Sequence, residues 1–169
     1  MNLITLKETK CQTHSNQKIF GLCDHPHPAK DPAYIDEEDG KTWIAAVKNE
    51  SRFDTTFTAV DHCIETIRAD GKMDHRCDGI LNYNTAVIFV ELKEQRGRGN
   101  NWVVDAEKQI KASIGYFERN TDSNDYTAKK AYIANNQHPA FKSSQAGRMD
   151  KFLADTEYIL RIENRIILT

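Results

Sequence analysis

The pattern of apolar and polar residues is clearest between positions 76 and 93. Two short runs, Arg76 to Tyr83 and Ala86 to Lys93, are separated by polar residues around Asn82 and Asn84. The second run, AVIFVELK, is rich in β-branched and aromatic residues, as is typical of a largely buried strand. The pattern predicts a β-hairpin, and a turn at Asn84-Thr85 would place residues whose numbers sum to 169 opposite each other.

After the hairpin, apolar residues recur at three- and four-residue steps and predict a helix over residues 103–118 with one face packed inward. The apolar positions of this face are Val103, Ala106, Ile110, Ile114 and Phe117. The segment KAYIAN, residues 130–135, predicts another strand. Near the end of the chain we expect a short helix over Arg148 to Ala154, then a strand pair or one bent strand over Tyr158 to Ile167.

Before the hairpin the pattern is less regular. The stretch from Cys23 to Lys41 contains three of the four prolines, so we expect no regular structure there before about Tyr34. Two apolar patches follow, Trp43 to Val47 and Phe57 to Ile67. The second patch fits helical spacing, but its β-branched residues and the Asp-Gly turn signal after it favour a strand.

The order strand, strand, strand, helix, strand favours an open mixed β-sheet with a crossover helix, in the α/β or α+β class. With 169 residues, the chain is predicted to form a single domain over residues 1–169.

Composition adds limits to this picture. Apolar residues make up 39% of the chain and charged residues 28%, with 25 acidic and 23 basic residues and a net charge of −2. This balance argues against a disordered chain and against a polycationic coat for nucleic acid, while a local basic groove stays compatible with it. No apolar run exceeds five residues, and the N-terminus lacks the apolar stretch of a signal peptide. We therefore expect a cytoplasmic protein with no membrane partner.

The four cysteines form no CxxC pair. In a chain without a signal peptide, thiols or metal ligands are expected before disulfides. Cys63 and Cys77 are expected to pack as small apolar residues. A zinc site near the N-terminus is an alternative, but its spacing matches no standard site, so buried thiols and loop histidines are favoured. The ligands of such a site would be Cys11, His14, Cys23, His25 and His27.

Candidate chemistry lies at the open end of the predicted hairpin. Side chains alternate between the faces of a strand, so Glu91 and Lys93 share one face and Leu92 lies on the other. In the register above, Asp78 lies directly across from Glu91. Two like charges about 5 Å apart repel each other unless a cation lies between them. Carboxylate oxygens suit a hard cation such as Mg²⁺ or Mn²⁺ rather than zinc.

Asp78, followed at an interval by the triplet Glu91-Leu92-Lys93, resembles the core motif of the PD-(D/E)XK nuclease superfamily, which includes many restriction endonucleases and RecB-type nucleases. The resemblance covers about residues 60–136, and Cys77 stands where the motif has proline. It implies a restriction-endonuclease-like core and a Mg²⁺- or Mn²⁺-dependent endonuclease. The substrate implied is DNA first, with RNA left open.

The resemblance also implies a role for each residue of the motif. Asp78, Glu91 and the carbonyl of Leu92 would hold the metal. Lys93 would position the attacking water or help to deprotonate it, next to the scissile phosphate.

Further candidates come from the same resemblance. RecB-type members carry a glutamine on the helix after the motif, often with a tyrosine. Gln109 is the matching glutamine, and Tyr116 is the candidate tyrosine at a longer spacing than usual. Most members have an acid before the first core strand, and the candidates here are Glu50 and Asp61.

Basic residues follow the motif closely. The run RGRGNN either lies along a phosphate backbone or forms a solvated loop. Trp102, just beyond it, either stacks on a base or anchors the helix, which is the more common use. The candidate nucleic-acid-binding residues are Arg96, Arg98, Lys108 and Lys111.

Simpler interpretations stay open at this point. The ELK triplet is common at strand ends, where its charges are solvated, and Asp78-Gly79 could be a turn dipeptide. The chain could then be an inactive nuclease-like subunit that binds nucleic acid or protein, or a metal-free structural domain with exposed acids. An active nuclease would fit restriction, repair or anti-phage defence, as a homodimer or within a larger complex.

Overall fold

Two mixed β-sheets and two α-helices make up the part of the chain that the computed structural model describes, residues 3–7, 10–97, 99–137 and 145–169. The strands are β1 (Gln12–Ser15), β2 (Ile19–Cys23), β3 (Tyr34–Asp36), β4 (Ala45–Lys48), β5 (Thr55–Ala59), β6 (Gly79–Tyr83), β7 (Ala86–Lys93), β8 (Ala128–Asn135), β9 (Ile159–Ile162) and β10 (Arg165–Ile167). The helices are α1 (Asn101–Glu118) and α2 (Ala146–Thr156), with a short 3₁₀ helix at Thr121–Asp125. No helix of the described residues is long and apolar enough to cross a membrane.

The larger sheet has six strands in the order β1-β5-β6-β7-β8-β9. Neighbouring strands are antiparallel from β1 to β7 in this order, and parallel from β7 to β9. Parallel neighbours need a crossover connection, and α1 lies between β7 and β8 in the chain. The predicted mixed sheet with a crossover helix, and the mixed α/β class, are therefore confirmed.

A second sheet, with the order β10-β4-β2-β3, was not predicted. It packs on the face of the larger sheet opposite the helices, so the molecule has three layers. The apolar core between the two sheets includes Phe20, Leu22, Val47, Leu81, Ile88, Val90, Leu92 and Ile166. This sheet joins strands from both ends of the chain, which explains why local patterns gave no sign of it.

The end of the chain is divided between the two sheets. The strand pair or bent strand predicted over Tyr158 to Ile167 is wrong in its pairing, because β9 joins β8 and β10 joins β4. Leu160 packs in the core beside the helices, whereas Ile166 packs in the core between the sheets. Each strand therefore buries its apolar side chains in a different core.

Helix α1 confirms the predicted periodicity. Val103, Ala106 and Ile110 are fully buried against the larger sheet, where Ile80 and Phe89 meet them. Burying one large apolar side chain contributes about 1.5–3 kcal/mol, so this face fixes the helix over the sheet. Trp102 is only 2% exposed and belongs to the same core, which supports its use as an anchor and not as a base-stacking group.

The β6–β7 hairpin has the predicted register. Gly79 pairs with Val90 and Tyr83 with Ala86, and Asn84 takes the positive φ of 47° that this tight turn requires. Gly79 begins β6, so the turn-dipeptide interpretation of Asp78-Gly79 is wrong. A Cβ at Gly79 would lie 2.2 Å from the Phe57 ring and 2.8 Å from the Thr58 carbonyl oxygen, so the packing of β5 against β6 requires glycine here.

The strand predicted from Phe57 to Ile67 ends at Ala59. Beyond it the chain turns, because the N–H groups of Cys63 and Ile64 both donate to the carbonyl of Val60 and His62 has a φ of 61°. The prediction was wrong for the second half of this segment, where neither strand nor α-helix continues.

A disulfide joins Cys11 to Cys63, contrary to the expectation of free thiols. Antiparallel pairing of β1 with β5 brings these cysteines together across a sequence separation of 52 residues, which no local spacing could indicate. The prediction that Cys63 is only a small apolar residue is therefore wrong. Cys23 and Cys77 are free and buried, and burial raises the pKa of the Cys77 thiol.

The close approach at Gly79 leads to a stability prediction. We expect Gly79→Ala to lower the free energy of unfolding by about 2–4 kcal/mol, because the added methyl group meets a fully buried ring and a backbone oxygen. Gly115→Ala, in α1, is the matched control: its Cβ meets nothing within 4 Å, and alanine should stabilise a helix interior by about 0.5–1 kcal/mol. Denaturant unfolding of both variants measures the difference, and equal stabilities would contradict this packing.

Candidate active site

The candidate site lies where β6 begins and β7 ends, beneath α1. Ile80 and Phe89 point into the core under the helices, whereas Leu92 belongs to the core between the sheets. By strand alternation, Asp78, Glu91 and Lys93 fall on the helix side. The structure therefore brings Asp78, Glu91 and Lys93 onto one face, as the sequence predicted.

Backbone hydrogen bonds fix both carboxylates in place. The Asp78 Oδ2 atom accepts a hydrogen bond from the Leu92 N–H at 2.6 Å, and the Glu91 Oε2 atom accepts one from the Asp78 N–H at 3.1 Å. Asp78 is 9% exposed and Glu91 only 2%. This burial rules out the interpretation that the acids at this strand end are merely solvated.

Both acids are difficult to ionise, mainly because they are buried. Burial raises the pKa of Glu91 to about 7. Burial, followed by the nearby Glu91 charge, raises the pKa of Asp78 well above its ordinary value. Raised pKa values at a pair of neighbouring carboxyl groups are a recurrent property of functional sites.

Lys93 is the cation that partly compensates these acids. Its Nζ atom lies 3.0 Å from Glu91 Oε1 and donates a hydrogen bond to Gln109 Oε1 at 2.9 Å. The side chain of Lys93 is 14% exposed, so it reaches the surface of the site. Gln109 in turn donates from Nε2 to the Arg76 carbonyl oxygen at 3.4 Å. The structure thus places Gln109 next to Lys93, as expected.

Ser113 is a site residue that the sequence analysis missed. It lies one helical turn after Gln109 and is fully buried, and its Oγ atom accepts a hydrogen bond from the Cys77 N–H at 2.9 Å. Gln109 and Ser113 therefore hold the backbone of two successive residues just before Asp78. The only sequence signal was a serine on the apolar face of a helix, four residues from the predicted glutamine.

Two further acids surround the pair. The charge of Asp61 contributes to the raised pKa of Glu91, and the charge of Asp24 contributes to that of Asp78. Asp61 lies 3.0 Å from the Arg76 guanidinium, and its N–H donates to the Cys77 carbonyl oxygen, so it borders the site as predicted. Asp24 was missed because it follows β2, a strand of the unpredicted sheet.

Glu50 is not at the site, contrary to the prediction. It is exposed between the end of β4 and the start of β5. The site borders the other end of β5, where Ala59 pairs with Gly79. The whole length of a strand therefore separates Glu50 from the acid pair.

Tyr116 has a different partner from the one expected. It lies seven residues after Gln109, about 10 Å along the helix axis. Its hydroxyl group donates a hydrogen bond to Asp74 Oδ2 at 2.8 Å, so it holds a loop and does not complete the site.

The predicted basic residues are only partly brought together. Lys108 lines a cleft of about 310 Å³ together with His75, Lys93, Asp105 and Gln109. Lys111 is instead paired with Glu107 and Asp155 on the side facing α2, so its predicted role in binding nucleic acid is not supported.

The remaining two basic candidates lie after β7. Arg96 is exposed and donates from Nε to Gln137 Oε1 at 3.1 Å. Arg98 lies outside the described residues.

The alternative zinc site does not form in the part of the chain that the structure describes. Cys11 is part of the disulfide, and His14 Nδ1 forms a hydrogen bond with the Thr56 hydroxyl group. The His25 ring packs against Tyr34, with the two ring centroids 5.1 Å apart. Among the described residues, no three His, Cys, Asp or Glu side chains form a metal-holding group.

The donors at the acid pair nevertheless fit a hard dication. They are the carboxylate oxygens of Asp78 and Glu91, and the resemblance implies the carbonyl oxygen of Leu92 as a third oxygen donor. Mg²⁺ prefers such donors and usually keeps several waters, so it does not need a closed cage of protein ligands. Burial raises the pKa of both acids and the Lys93 ammonium opposes this rise, so a dication would favour the ionised acids in the same way.

Comparison with known proteins adds no relative: no family model, curated protein or solved structure matches this chain. The site is therefore interpreted from its own residues.

The raised pKa of Asp78 predicts a pH-dependent gain in stability for Asp78→Asn. The folded state keeps the Asp78 proton to a higher pH than the unfolded chain does. The contribution of this proton to the free energy of unfolding is therefore complete below the ordinary pKa near 4, and it is lost as the pH rises through the raised pKa. At pH 8 burial disfavours the ionised form that Asp78 takes in the unfolded chain, whereas the variant has no such group to ionise. We expect the variant to melt at least about 3 °C higher at pH 8, with no difference near pH 4.

The exposed acid Asp31 provides the control for this measurement. Asp31→Asn should leave the melting temperature unchanged at both pH values, because the side chain is solvated. A variant at position 78 that is no more stable than the wild type at pH 8 would contradict the proposed cost of burying this acid.

Proposed function

We propose that this chain is a metal-dependent endonuclease of the PD-(D/E)XK type that hydrolyses phosphodiester bonds, with DNA as the first substrate to test. The observation that carries the proposal is the convergence of Asp78, Glu91 and Lys93 on one face of a hairpin, beneath a helix that supplies Gln109. A biological role in restriction, repair or anti-phage defence in the cytoplasm follows from the same resemblance.

In this proposal, Asp78, Glu91 and the Leu92 carbonyl hold Mg²⁺ or Mn²⁺. Such an ion supplies Lewis acidity at the phosphate and lowers the pKa of a bound water. A backbone hydrogen bond holds one oxygen of each carboxylate in place, and on Glu91 the ion would share the other oxygen with Lys93. A dication would also favour the ionised form of both acids, which burial otherwise disfavours.

Lys93 is assigned the role of holding the attacking water and offsetting charge on the phosphate. Its ammonium group already lies within 3.0 Å of a Glu91 oxygen and is oriented by Gln109. It is also the member of the triad that is most exposed to the cleft. Gln109 and Ser113 act as positioning residues, because they bond to Lys93 and to the backbone before Asp78.

One observation favours the alternative of an inactive nuclease-like subunit. The Glu91 carboxylate is fully engaged, with one oxygen on the Asp78 N–H and the other beside the Lys93 ammonium. This closed ion pair could serve as a structural element beneath α1. A subunit of this kind would bind nucleic acid or protein without cleaving a substrate.

Cleavage assays on plasmid DNA, single-stranded DNA and RNA test the proposal. We expect cleavage with Mg²⁺ or Mn²⁺ and none with EDTA, and a loss of at least about 100-fold for Asp78→Asn and for Lys93→Ala. Lys151→Ala is the control and should keep full activity, because this lysine is 72% exposed on α2. Equal activity of the wild type and both site variants, or nucleic-acid binding without cleavage, would contradict the enzyme.

Metal binding can be measured without turnover. At pH 8, millimolar Mn²⁺ should raise the melting temperature of the wild-type protein by a few degrees, because a ligand of the folded state stabilises it by mass action. Asp78→Asn should lose this shift. The shift should also shrink towards pH 5, where protons compete for the two carboxyl groups. A shift of equal size in the variant would place the metal elsewhere.

A further inference from the structure

A narrow cleft leads to the candidate site from the surface. One wall is α1, which contributes Asp105, Lys108 and Gln109, and the other is the chain before β6, which contributes His75. Lys93 also lines the cleft, so the cleft connects the reacting end of the triad with solvent. Its volume is about 310 Å³.

The chain that brings His75 to the cleft is preceded by a small hairpin loop, residues 66–74, here called the tongue. The Asp74 N–H donates to the Thr66 carbonyl at 2.7 Å and the Arg68 N–H to the Lys72 carbonyl at 2.8 Å. Tyr116 then fastens the tongue to α1 through its hydrogen bond to Asp74. The residue before His75 is thus tied to the helix that forms the other wall of the cleft, which limits how far the two walls can separate.

The acids behind this cleft are deeply placed. Asp78 and Glu91 are almost fully buried, so a reacting phosphate has to enter the cleft to approach them. A volume near 300 Å³ is at the lower end of pockets that hold one small ligand. A space of that size takes one nucleotide-sized group, so the second strand of an intact duplex would have to stay outside it. Enzymes that act on a single base meet a similar constraint, and they use single strands or nucleotides drawn out of the duplex.

The charges of the cleft suit a phosphate. Lys93 and Lys108 are cationic and His75 supplies an imidazole, against the single carboxylate of Asp105. Lys108 and His75 are exposed, and they lie on opposite walls. A strand lying between them would meet one nitrogen donor on each side, next to the lysine at the reacting position.

We propose that this cleft binds one strand of nucleic acid, with Lys108 and His75 holding the phosphate next to the reacting one. The substrate class is then single-stranded or frayed nucleic acid, and not an intact duplex. This inference rests on the proposed function, because it gives the substrate of the same site.

Binding and cleavage by paired substrates test it. In EDTA, a fluorescein-labelled 20-nucleotide single strand should bind at least about tenfold more tightly than the blunt duplex of the same sequence. With metal, the single strand and a duplex with a frayed end should be cleaved at least tenfold faster than the blunt duplex. Lys108→Gln and His75→Gln should each raise the KM for the single strand about five- to tenfold.

The salt dependence separates direct phosphate contact from a structural effect. Neutralising one phosphate contact on a single strand lowers the slope of log K against log salt by about 0.7, and Lys108→Gln should show this change. Lys151→Gln on α2 should change neither KM nor the slope. This inference would be overturned if the blunt duplex were cleaved as fast as the single strand, or if both cleft variants kept the KM and the salt slope of the wild type. Either result would leave the proposed nuclease activity itself unaffected. Selective binding of single strands without cleavage would support the cleft and overturn the enzyme.

Discussion

The reciprocal hydrogen bonds of Asp78 and Glu91 across the hairpin are the interaction on which the candidate site depends. Each carboxylate is fixed by a backbone N–H of the opposite strand, so the register of β6 and β7 decides where the acids lie. A shift of one residue would move one acid to the other face of the sheet. The Asn84 turn, the absence of a side chain at Gly79 and the cover provided by α1 all preserve this register.

This arrangement has a thermodynamic cost that packing elsewhere offsets. Two buried acids, compensated by the single ammonium group of Lys93, contribute less to the stability of the fold than apolar residues of the same size would. The raised pKa values of Asp78 and Glu91 express that cost. Apolar cores on both faces of the larger sheet supply the compensating stability. Charges kept at such a position are better explained by chemistry than by folding, which is why a catalytic interpretation is preferred to a structural one.

The parts of the fold that sequence could predict are those set by neighbouring residues. The β-branched and aromatic run in AVIFVELK and the expected turn predicted the hairpin, its register and the common face of Asp78, Glu91 and Lys93. Helical periodicity predicted α1, the helix that carries Gln109 to Lys93. Asp24 could not be predicted, since it depends on a sheet that joins distant strands. Tyr116 was misassigned because spacing along a helix does not reveal that Asp74 comes within reach of its hydroxyl group.

The disulfide between Cys11 and Cys63 closes a covalent ring around most of the second sheet, because β2, β3 and β4 all lie between the two cysteines. Such a ring restricts the unfolded chain and, for 52 residues, corresponds to about 4 kcal/mol of stabilisation in the chain-entropy model. Asp24 and Asp61 lie within the ring, whereas Asp78 and Glu91 lie outside it. The crosslink therefore restrains the segments that carry Asp24 and Asp61, whereas Asp78 and Glu91 are ordered by strand pairing, the Asn84 turn and the cover of α1.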